Sequence, residues 1–311
     1  MEIKKHLAPF PCEKMLAALE DVFGKEEADL ERPQLSGNET LYNKDIVLIA
    51  EENGRVLGTV HATVPLRAPY LAGISAVATL PAARGMGLGK KLFSKMMKEL
   101  EQLGVEYAFL GTSNPVAQKM YASFGFAYHS GSFVMIHCKD GGMVDLDNAL
   151  FQNPQKKISV FEGSAQMRIP LIPLVLHKND HILLDTNTGI ANCELFTQCS
   201  CMGLYQKYRS LSQAGGHFFG AESEQGVLGA VASVMPTQEG TRCDFFFANG
   251  FEESIFPLLD AVQTVSKSFY LQIAIGDIKE KAATALGFLP EKEMPYAYKG
   301  VVIPALKYVK A

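Results

Sequence analysis

The apolar positions of this chain fall into two periods. Met15, Leu16, Leu19, Val22 and Phe23 recur at three- and four-residue spacing, which predicts a helix over residues 13–23. Ile46–Glu51, Val56–Val64 and Gly73–Thr79 are short runs rich in β-branched residues and bounded by turn residues, and they predict strands. Leu92, Phe93, Met96, Met97, Leu100 and Leu103 share one side of a helix expected over 89–103, with Gly104 suited to close it. A strand is expected at Val105–Leu110, then a short helix from Pro115 to Phe124 ending at Gly125. This alternation, with β-hairpins, predicts an α/β (α+β) layer fold: a mixed central sheet with flanking helices.

The pattern recurs further along the chain. Residues 46–65 read IVLIAEENGRVLGTVHATVP and residues 217–236 read HFFGAESEQGVLGAVASVMP, identical at 7 of 20 positions without gaps. Lys119–Phe126 (KMYASFGF) is echoed by Lys281–Phe288 (KAATALGF) at Lys, Gly and Phe. The echoes keep their order, so the architecture is expected twice in tandem. Between the two landmarks the second copy is nine residues shorter (51 against 60), a loss expected at its loop before the long helix. The expected domains are 1–140 and 156–311, joined by a linker at 141–155 that opens on Gly141-Gly142.

Composition narrows the partners. The 311 residues suit two domains of roughly 150, and 48% apolar content supplies two cores. There are 29 basic and 33 acidic residues, divided 15 and 16 up to residue 140 and 14 and 17 beyond it. Neither part has the basic excess that nucleic acid requires. The longest apolar run, Ile169–Leu176, is too short to span a bilayer and holds Pro170 and Pro173. No signal peptide is expected at the start. Cys12, Cys138, Cys193, Cys199, Cys201 and Cys243 read as reduced core residues of a cytoplasmic protein. No metal motif occurs.

The chemistry concentrates in Val77–Gly89, VATLPAARGMGLG. A strand ends at Pro81; Arg84, Gly85, Gly87 and Gly89 then lead into the amphipathic helix. Glycines let backbone N–H groups converge on one ligand, the helix N-terminus adds unpaired donors and partial positive charge, and Arg84 adds charge-assisted bonds. The expected ligand is a phosphate or pyrophosphate. The dinucleotide fingerprint has other glycine spacing and an acid after the next strand, whereas here that strand ends Phe109-Leu110-Gly111-Thr112.

Arg84-Gly85-Met86-Gly87-Leu88-Gly89, preceded by Pro81, resembles the Arg/Gln-x-x-Gly-x-Gly/Ala signature of the GCN5-related N-acetyltransferases. Asn114 through Ala117 and Tyr121 to Gly125-Phe126 is similar to the family's second landmark. The likeness covers about residues 43–131 and is faint in the second half. It implies acetyl-CoA as donor. The pantetheine arm would pair with the backbone of Val77, Ala78 and Thr79, and the pyrophosphate would sit on the amides of Arg84, Gly85, Met86, Gly87, Leu88, Gly89 and Lys90. Asn114 and Tyr121 would lie near the thioester, with Tyr121 as general acid toward the leaving thiolate. The acceptor would be an amine of a small molecule or peptide, attacking directly in a ternary complex. The alternative is a CoA-binding regulatory or scaffold protein without turnover.

A lysine-like amine is almost wholly protonated at pH 7, a handicap of about 4.6 kcal/mol, so a base or an amine-neutralising site is needed. Some family members carry a Glu on the strand before the loop; Gly73–Leu80 has no carboxylate. His61, mid-strand, is the base candidate, and an ordinary packed histidine is the other reading. Glu26, Glu27, Asp29 and Glu31 form an acidic run after the first helix, either attracting a cationic acceptor or simply solvating a helix end. In the second half the loop reads Ala248-Asn249-Gly250-Phe251-Glu252-Glu253, whose two acids would repel a pyrophosphate, and Ala283 stands opposite Tyr121. That copy is expected to bind no CoA.

Overall fold

The computed structural model describes residues 1–141, 146–151 and 157–310. Of the expected linker, 142–145 and 152–155 lie outside the described residues, as does residue 156. The described chain packs as two units: residues 1–129, 133–141 and 199–202 form the first, and 130–132, 146–151, 157–198 and 203–310 the second.

The first unit is built on strands β1 (Glu2–Leu7), β2 (Asn43–Glu52), β3 (Arg55–Pro65), β4 (Leu71–Thr79), β5 (Tyr107–Gly111), β6 (Ala127–Tyr128) and β7 (Val134–Cys138). Their order in the sheet is β1-β2-β3-β4-β5-β7-β6. All neighbours are antiparallel except β4 and β5, which the helix α3 (Leu88–Gln102) joins as a crossover. Asn53 and Gly54, at φ 51° and 77°, make the two-residue turn between β2 and β3, a conformation that matches the twist of the strands. Helices α1 (Glu13–Phe23) and α2 (Lys25–Leu35) follow β1, and α4 (Pro115–Ala122) follows β5. α1 packs on Val47, Ile49, Val56 and Ala78. α3 packs Leu88, Leu92, Phe93, Met96 and Leu100 into a second cluster with Ile46, Leu48, Val60 and Ile74. Each such side chain gains about 1.5–3 kcal/mol on burial. Gly104, at φ 77°, closes α3, with Val105 N–H donating to the Leu100 carbonyl at 3.1 Å.

The second unit contains β8 (Ile158–Glu162), β9 (Leu183–Asp185), β10 (Ile190–Ala191), β11 (His217–Ser223), β12 (Leu228–Thr237), β13 (Gly240–Phe247), β14 (Tyr270–Ala274), β15 (Phe288–Glu293), β16 (Tyr296–Tyr298), β17 (Val301–Ile303) and β18 (Ala305–Lys310). Its helices are α5 (Leu171–Leu176), α6 (Leu204–Gln213), α7 (Ile255–Val265) and α8 (Lys279–Ala285). The large sheet runs β8-β11-β12-β13-β14-β18-β15. Element for element this is the order of the first sheet. Its parallel pair is β13 and β14, α7 crosses between them, and α8 follows β14 as α4 follows β5. Gly58 of β3 and Gly229 of β12, matched in the repeat, meet the same demand. A Cβ at Gly58 would come within 3.0 Å of Leu92 Cδ1, and one at Gly229 would fall inside the Phe251 ring.

The elements expected from periodicity form within a few residues of their predicted ends. β1 and α2 were not foreseen: β1 is a short charged edge strand, and α2 carries Pro33 and few apolar residues. The nine-residue shortfall of the second half is not confined to its loop; α7 has 11 residues where α3 has 15. The apolar run 169–176 is buried and mostly helical, in α5, and no helix of the described residues is long and apolar enough to cross a membrane. Cys12, Cys193, Cys201 and Cys243 are buried and Cys138 is half-buried, but Cys199 is exposed, contrary to its reading as core.

Candidate active site

β4 and β5 begin in register, Leu71 opposite Tyr107, Ala72 opposite Ala108 and Gly73 opposite Phe109. The pairing then stops, while β4 keeps its other neighbour to the end, Thr79 opposite Gly58. From Ile74 onward one edge of β4 faces no strand. Ser75, Ala76, Val77 and Thr79 are only half-buried there, whereas Leu71 to Ile74 are buried. A bulge interrupts β4 in the same stretch: the register shifts between Thr59 and His61, and Ala76 takes φ 49°. Left-handed backbone costs an alanine about 1–2 kcal/mol, and the Thr59 hydroxyl donates to the Ala76 carbonyl at 2.6 Å to hold it.

Beyond β4, a single turn at Pro81–Ala83 leads into the glycine loop. Gly85 and Gly87 have φ 78° and 71°, and a Cβ at either would meet nothing within 4 Å, so backbone conformation rather than crowding calls for glycine. Gly89 differs, because a Cβ there would approach Thr79 Oγ1 to 3.0 Å. Arg84 Nε donates to the Thr79 carbonyl at 3.1 Å, tying the loop to the strand end. Lys91 N–H makes a ladder bond to the Gly87 carbonyl at 3.0 Å, so the amides of Leu88, Gly89 and Lys90 lie in the first turn of α3, where backbone donors lack intrahelical partners. The Leu88 side chain is buried and can offer a ligand only its backbone; Met86 and Lys90 are exposed.

Asn114 caps α4. Its Oδ1 accepts from Val116 N–H at 2.9 Å and Ala117 N–H at 3.4 Å, which leaves its amide NH₂ as the group to offer a ligand. Tyr121 lies on α4 against Phe93, ring centroids 5.0 Å apart, and burial pushes its phenol up to about 12. The proton is therefore held more tightly than in a solvated tyrosine, and the hydroxyl is suited to donating a hydrogen bond rather than releasing its proton outright.

His61 is the largest departure from expectation. It is fully buried between two carboxylates, Nδ1 2.6 Å from Glu31 Oε2 and Nε2 2.9 Å from Asp45 Oδ1. Burial opposes its charge, but Glu31 and Asp45 outweigh burial and push the pKa up to about 10. At neutral pH it is an imidazolium with both N–H groups engaged, so it has no lone pair with which to act as a base. The Thr63 hydroxyl donates to Asp45 at 2.7 Å and the Ser75 hydroxyl to Glu31 Oε2 at 3.1 Å. The acidic run lies on α2, where Glu26, Glu27 and Asp29 are exposed as on a solvated helix end, while Glu31 turns inward to His61 and Ser75 of β4. The sequence signal for that was its spacing: Glu31 falls three and four residues after Ala28 and Glu27 and three before Gln34, and Ala28 and Gln34 are buried.

The second unit repeats the splay but fills it. β13 pairs with β14 only at Arg242–Tyr270 and Cys243–Leu271. Along its unpaired part, His181 Nε2 lies 3.1 Å from the Phe247 carbonyl oxygen and 3.3 Å from the Phe247 amide nitrogen, and His181 Nδ1 is 3.2 Å from Asp277 Oδ1. Asp244 accepts from the Thr186 amide and hydroxyl, both at 2.7 Å, and pairs with buried Lys279 at 2.6 Å. The loop before α7 caps itself, Gly250 N–H donating to Glu252 Oε1 at 3.0 Å.

Residues 12–126 match the model of the acetyltransferase (GNAT) family. This part of the chain belongs to the GNAT acetyltransferases. No curated protein matches the sequence. Among solved structures, a GNAT family acetyltransferase from Brucella melitensis in complex with acetyl-CoA is 20% identical, with TM-score 0.35, over 45% of this chain and 92% of that one. An acyl-CoA N-acyltransferase from Pseudomonas aeruginosa is 20% identical, with TM-score 0.36, over 44% and 100%. The GNAT family N-acetyltransferase YhbS from Escherichia coli, in complex with CoA, is 18% identical, with TM-score 0.34, over 44% and 80%. Among the described residues no group of three or more His, Cys, Asp and Glu could hold a metal ion.

Proposed function

We propose that the chain is an acetyl-CoA-dependent N-acetyltransferase that moves the acetyl group onto an amine of a small molecule or peptide by direct attack in a ternary complex. The observation that carries this reading is the open edge of β4 running straight into a glycine loop at the N-terminus of α3. An unpaired strand edge offers alternating N–H and C=O groups to an extended amide-bearing chain, which the pantetheine arm is. Val77, Ala78 and Thr79 would pair with it. The amides from Arg84 to Lys90, with the partial positive charge of the helix end, would hold the pyrophosphate.

In the reaction the neutral amine nitrogen attacks the thioester carbonyl. The N–C bond forms, the C–S bond breaks, and the thiolate leaves with the electron pair. Tyr121 would donate a hydrogen bond to that sulfur as its charge grows. Asn114 sets the start of the helix that carries Tyr121. The proton lost from nitrogen passes to solvent, because His61 is already protonated.

The second unit reads as a degenerate copy of the same domain. Its β13 edge is occupied by His181 and its loop amide by Glu252, so it supports the fold or the acceptor side and binds no donor. The competing reading, a CoA-binding regulatory protein without turnover, draws on one observation: the open half of β4 carries no carboxylate. Titration of acetyl-CoA by calorimetry, followed by CoA release in the presence of a panel of primary amines, tests both. Binding with release supports the enzyme; binding without release for any amine supports the regulatory reading; no binding defeats both.

A further inference from the structure

α4 is eight residues long and ends at Ala122, whereas α3, the other helix on that face of the sheet, has 15 residues. The shorter helix leaves part of the face uncovered, and there the first unit holds a cavity of about 320 Å³. Its floor is Ala108 of β5 and His137 of β7, which stand opposite each other in the sheet and so share one face. Met97 and Leu100 of α3, with Val105 and Phe124, form its walls. Small-molecule sites run from roughly 300 to 1,000 Å³, so the space suits a small ligand.

The polar groups around this space are not spent on the protein. His137 is half-buried, its ring 5.2 Å from that of Phe126. Burial holds its pKa below the ordinary 6.5, so at neutral pH it offers one N–H and one lone pair. Neither ring nitrogen has a hydrogen-bond partner among the described residues. Lys98, Glu101 and Lys139 line the cavity from exposed positions, and none of them forms an ion pair among the described residues. Two ammonium groups against one carboxylate give this mouth a net charge of one positive.

We propose that this cavity is a binding site for a small aromatic monocarboxylate, its ring enclosed over Ala108 by Met97 and Phe124 and its carboxylate held at Lys98 and Lys139. The walls set the body of the ligand: a ring packs well against the Phe124 and His137 rings, and the Met97 thioether adapts to its edge. The mouth sets the charge. A single carboxylate matches the net positive charge, an ammonium in its place would face two lysines, and a dianion would carry more charge than the mouth balances beside Glu101. The site is separate from the glycine loop, since Met97 is about 15 Å along α3 from Gly87 at 1.5 Å per residue. It therefore stands independently of the acetyltransferase reading.

The test is a calorimetric titration of 3-phenylpropionate and of 3-phenylpropylamine into the full chain. The wild type should bind the acid at least tenfold more tightly than the amine, and excess CoA should leave the affinity for the acid within twofold. Lys98→Gln and Lys139→Gln should each weaken the acid at least threefold, and Ala108→Leu, which fills the floor, at least tenfold. Lys95→Gln, a lysine of the same helix outside the cavity, should stay within twofold of the wild type. Urea unfolding shows whether Ala108→Leu is folded; if it is not, the two exposed lysine variants decide. No binding of the acid, equal binding of acid and amine, or displacement of the acid by CoA would overturn the proposal. So would full affinity in both lysine variants or in a folded Ala108→Leu protein, or an equal loss in Lys95→Gln.

Discussion

His181 sets its Nε2 against both the carbonyl oxygen and the amide nitrogen of Phe247, 3.1 and 3.3 Å away. Those two backbone groups lie on the stretch of β13 that has left β14, where the first unit leaves β4 open. One sheet thus leaves an edge unpaired, and its counterpart spends the same edge on its own side chain. Acetyl-CoA should accordingly bind at one site per chain. Calorimetric stoichiometry near one, unchanged by His181→Ala, is the expected result; two equal sites would contradict it.

Gly87→Asp should reduce acetyl-CoA affinity by at least 100-fold. It places a carboxylate at the N-terminus of α3, where the proposed pyrophosphate site relies on amides and positive potential. Gly87 has φ 71°, so some of any effect is backbone strain. Gly104, at φ 77° behind the C-terminus of α3 with open space around it, provides the control. Gly104→Asp should show comparable strain in urea unfolding and no loss of affinity.

Tyr121→Phe should lower kcat by about 10²-fold and leave acetyl-CoA affinity nearly unchanged, since the thiolate charge that its hydroxyl would meet develops only as the bond breaks. The ring and its contacts with Phe93 and Phe126 survive the change. Equal rates in the two proteins would leave Tyr121 as a packing residue.

His61 predicts a pH dependence of stability. Its pKa rises on folding from 6.5 to about 10, so the folded state binds the extra proton. The stabilisation is complete below pH 6.5 and is lost as pH rises toward 10. Burial also holds the thiols of Cys201 and Cys243 above their ordinary value of 9.0, which weakens the fold further above that pH. The diagnostic quantity is therefore the difference between wild type and His61→Gln. The urea midpoint of the wild type should fall more steeply between pH 6.5 and 9, and parallel curves would count against the charged histidine.

Gly229→Ala should destabilise the protein by about 1–3 kcal/mol, because the new methyl group displaces the Phe251 ring from a filled core. Gly58→Ala should cost less, since a Cβ there would come no nearer than 3.0 Å to the Ala78 carbonyl oxygen and Leu92 Cδ1, against 1.9 Å to the Phe251 ring at Gly229. Urea unfolding followed by a probe in each unit would rank the two.

Much of this arrangement was legible in the sequence where local chemistry dictates local structure. The β2–β3 hairpin follows from alternation and an Asn-Gly turn, α3 from its apolar stripe, and the cradle from glycines at positions that turn out to need positive φ. The Glu31–His61–Asp45 group was not legible. Its members are 30 and 16 residues apart and meet only because β2 and β3 pair and α2 folds back across them. Nor could spacing reveal that Asn114 spends its oxygen on a helix cap, or that His181 would reach Phe247 across 66 residues. Periodicity reports which face a residue takes; it does not report what stands opposite.

The bulge at Ala76 puts β4 out of phase with itself. Ala72, Ile74 and Val77 pack on the α3 side, whereas Ala76 and Ala78 pack with α1, and Ser75 reaches α2. Two adjacent residues, 75 and 76, thus look the same way, and the alternation after them is inverted relative to the alternation before. The strand has in effect two reading frames. Straightening the bulge with every residue kept would merge them, swapping Val77 and Ala78 between the two cores. The extra residue is what lets the two frames coexist, so a one-residue insertion beside it, which turns Val77 and Ala78 to the wrong faces, should be tolerated less well than a one-residue deletion that removes the bulge and leaves both on the faces they now take.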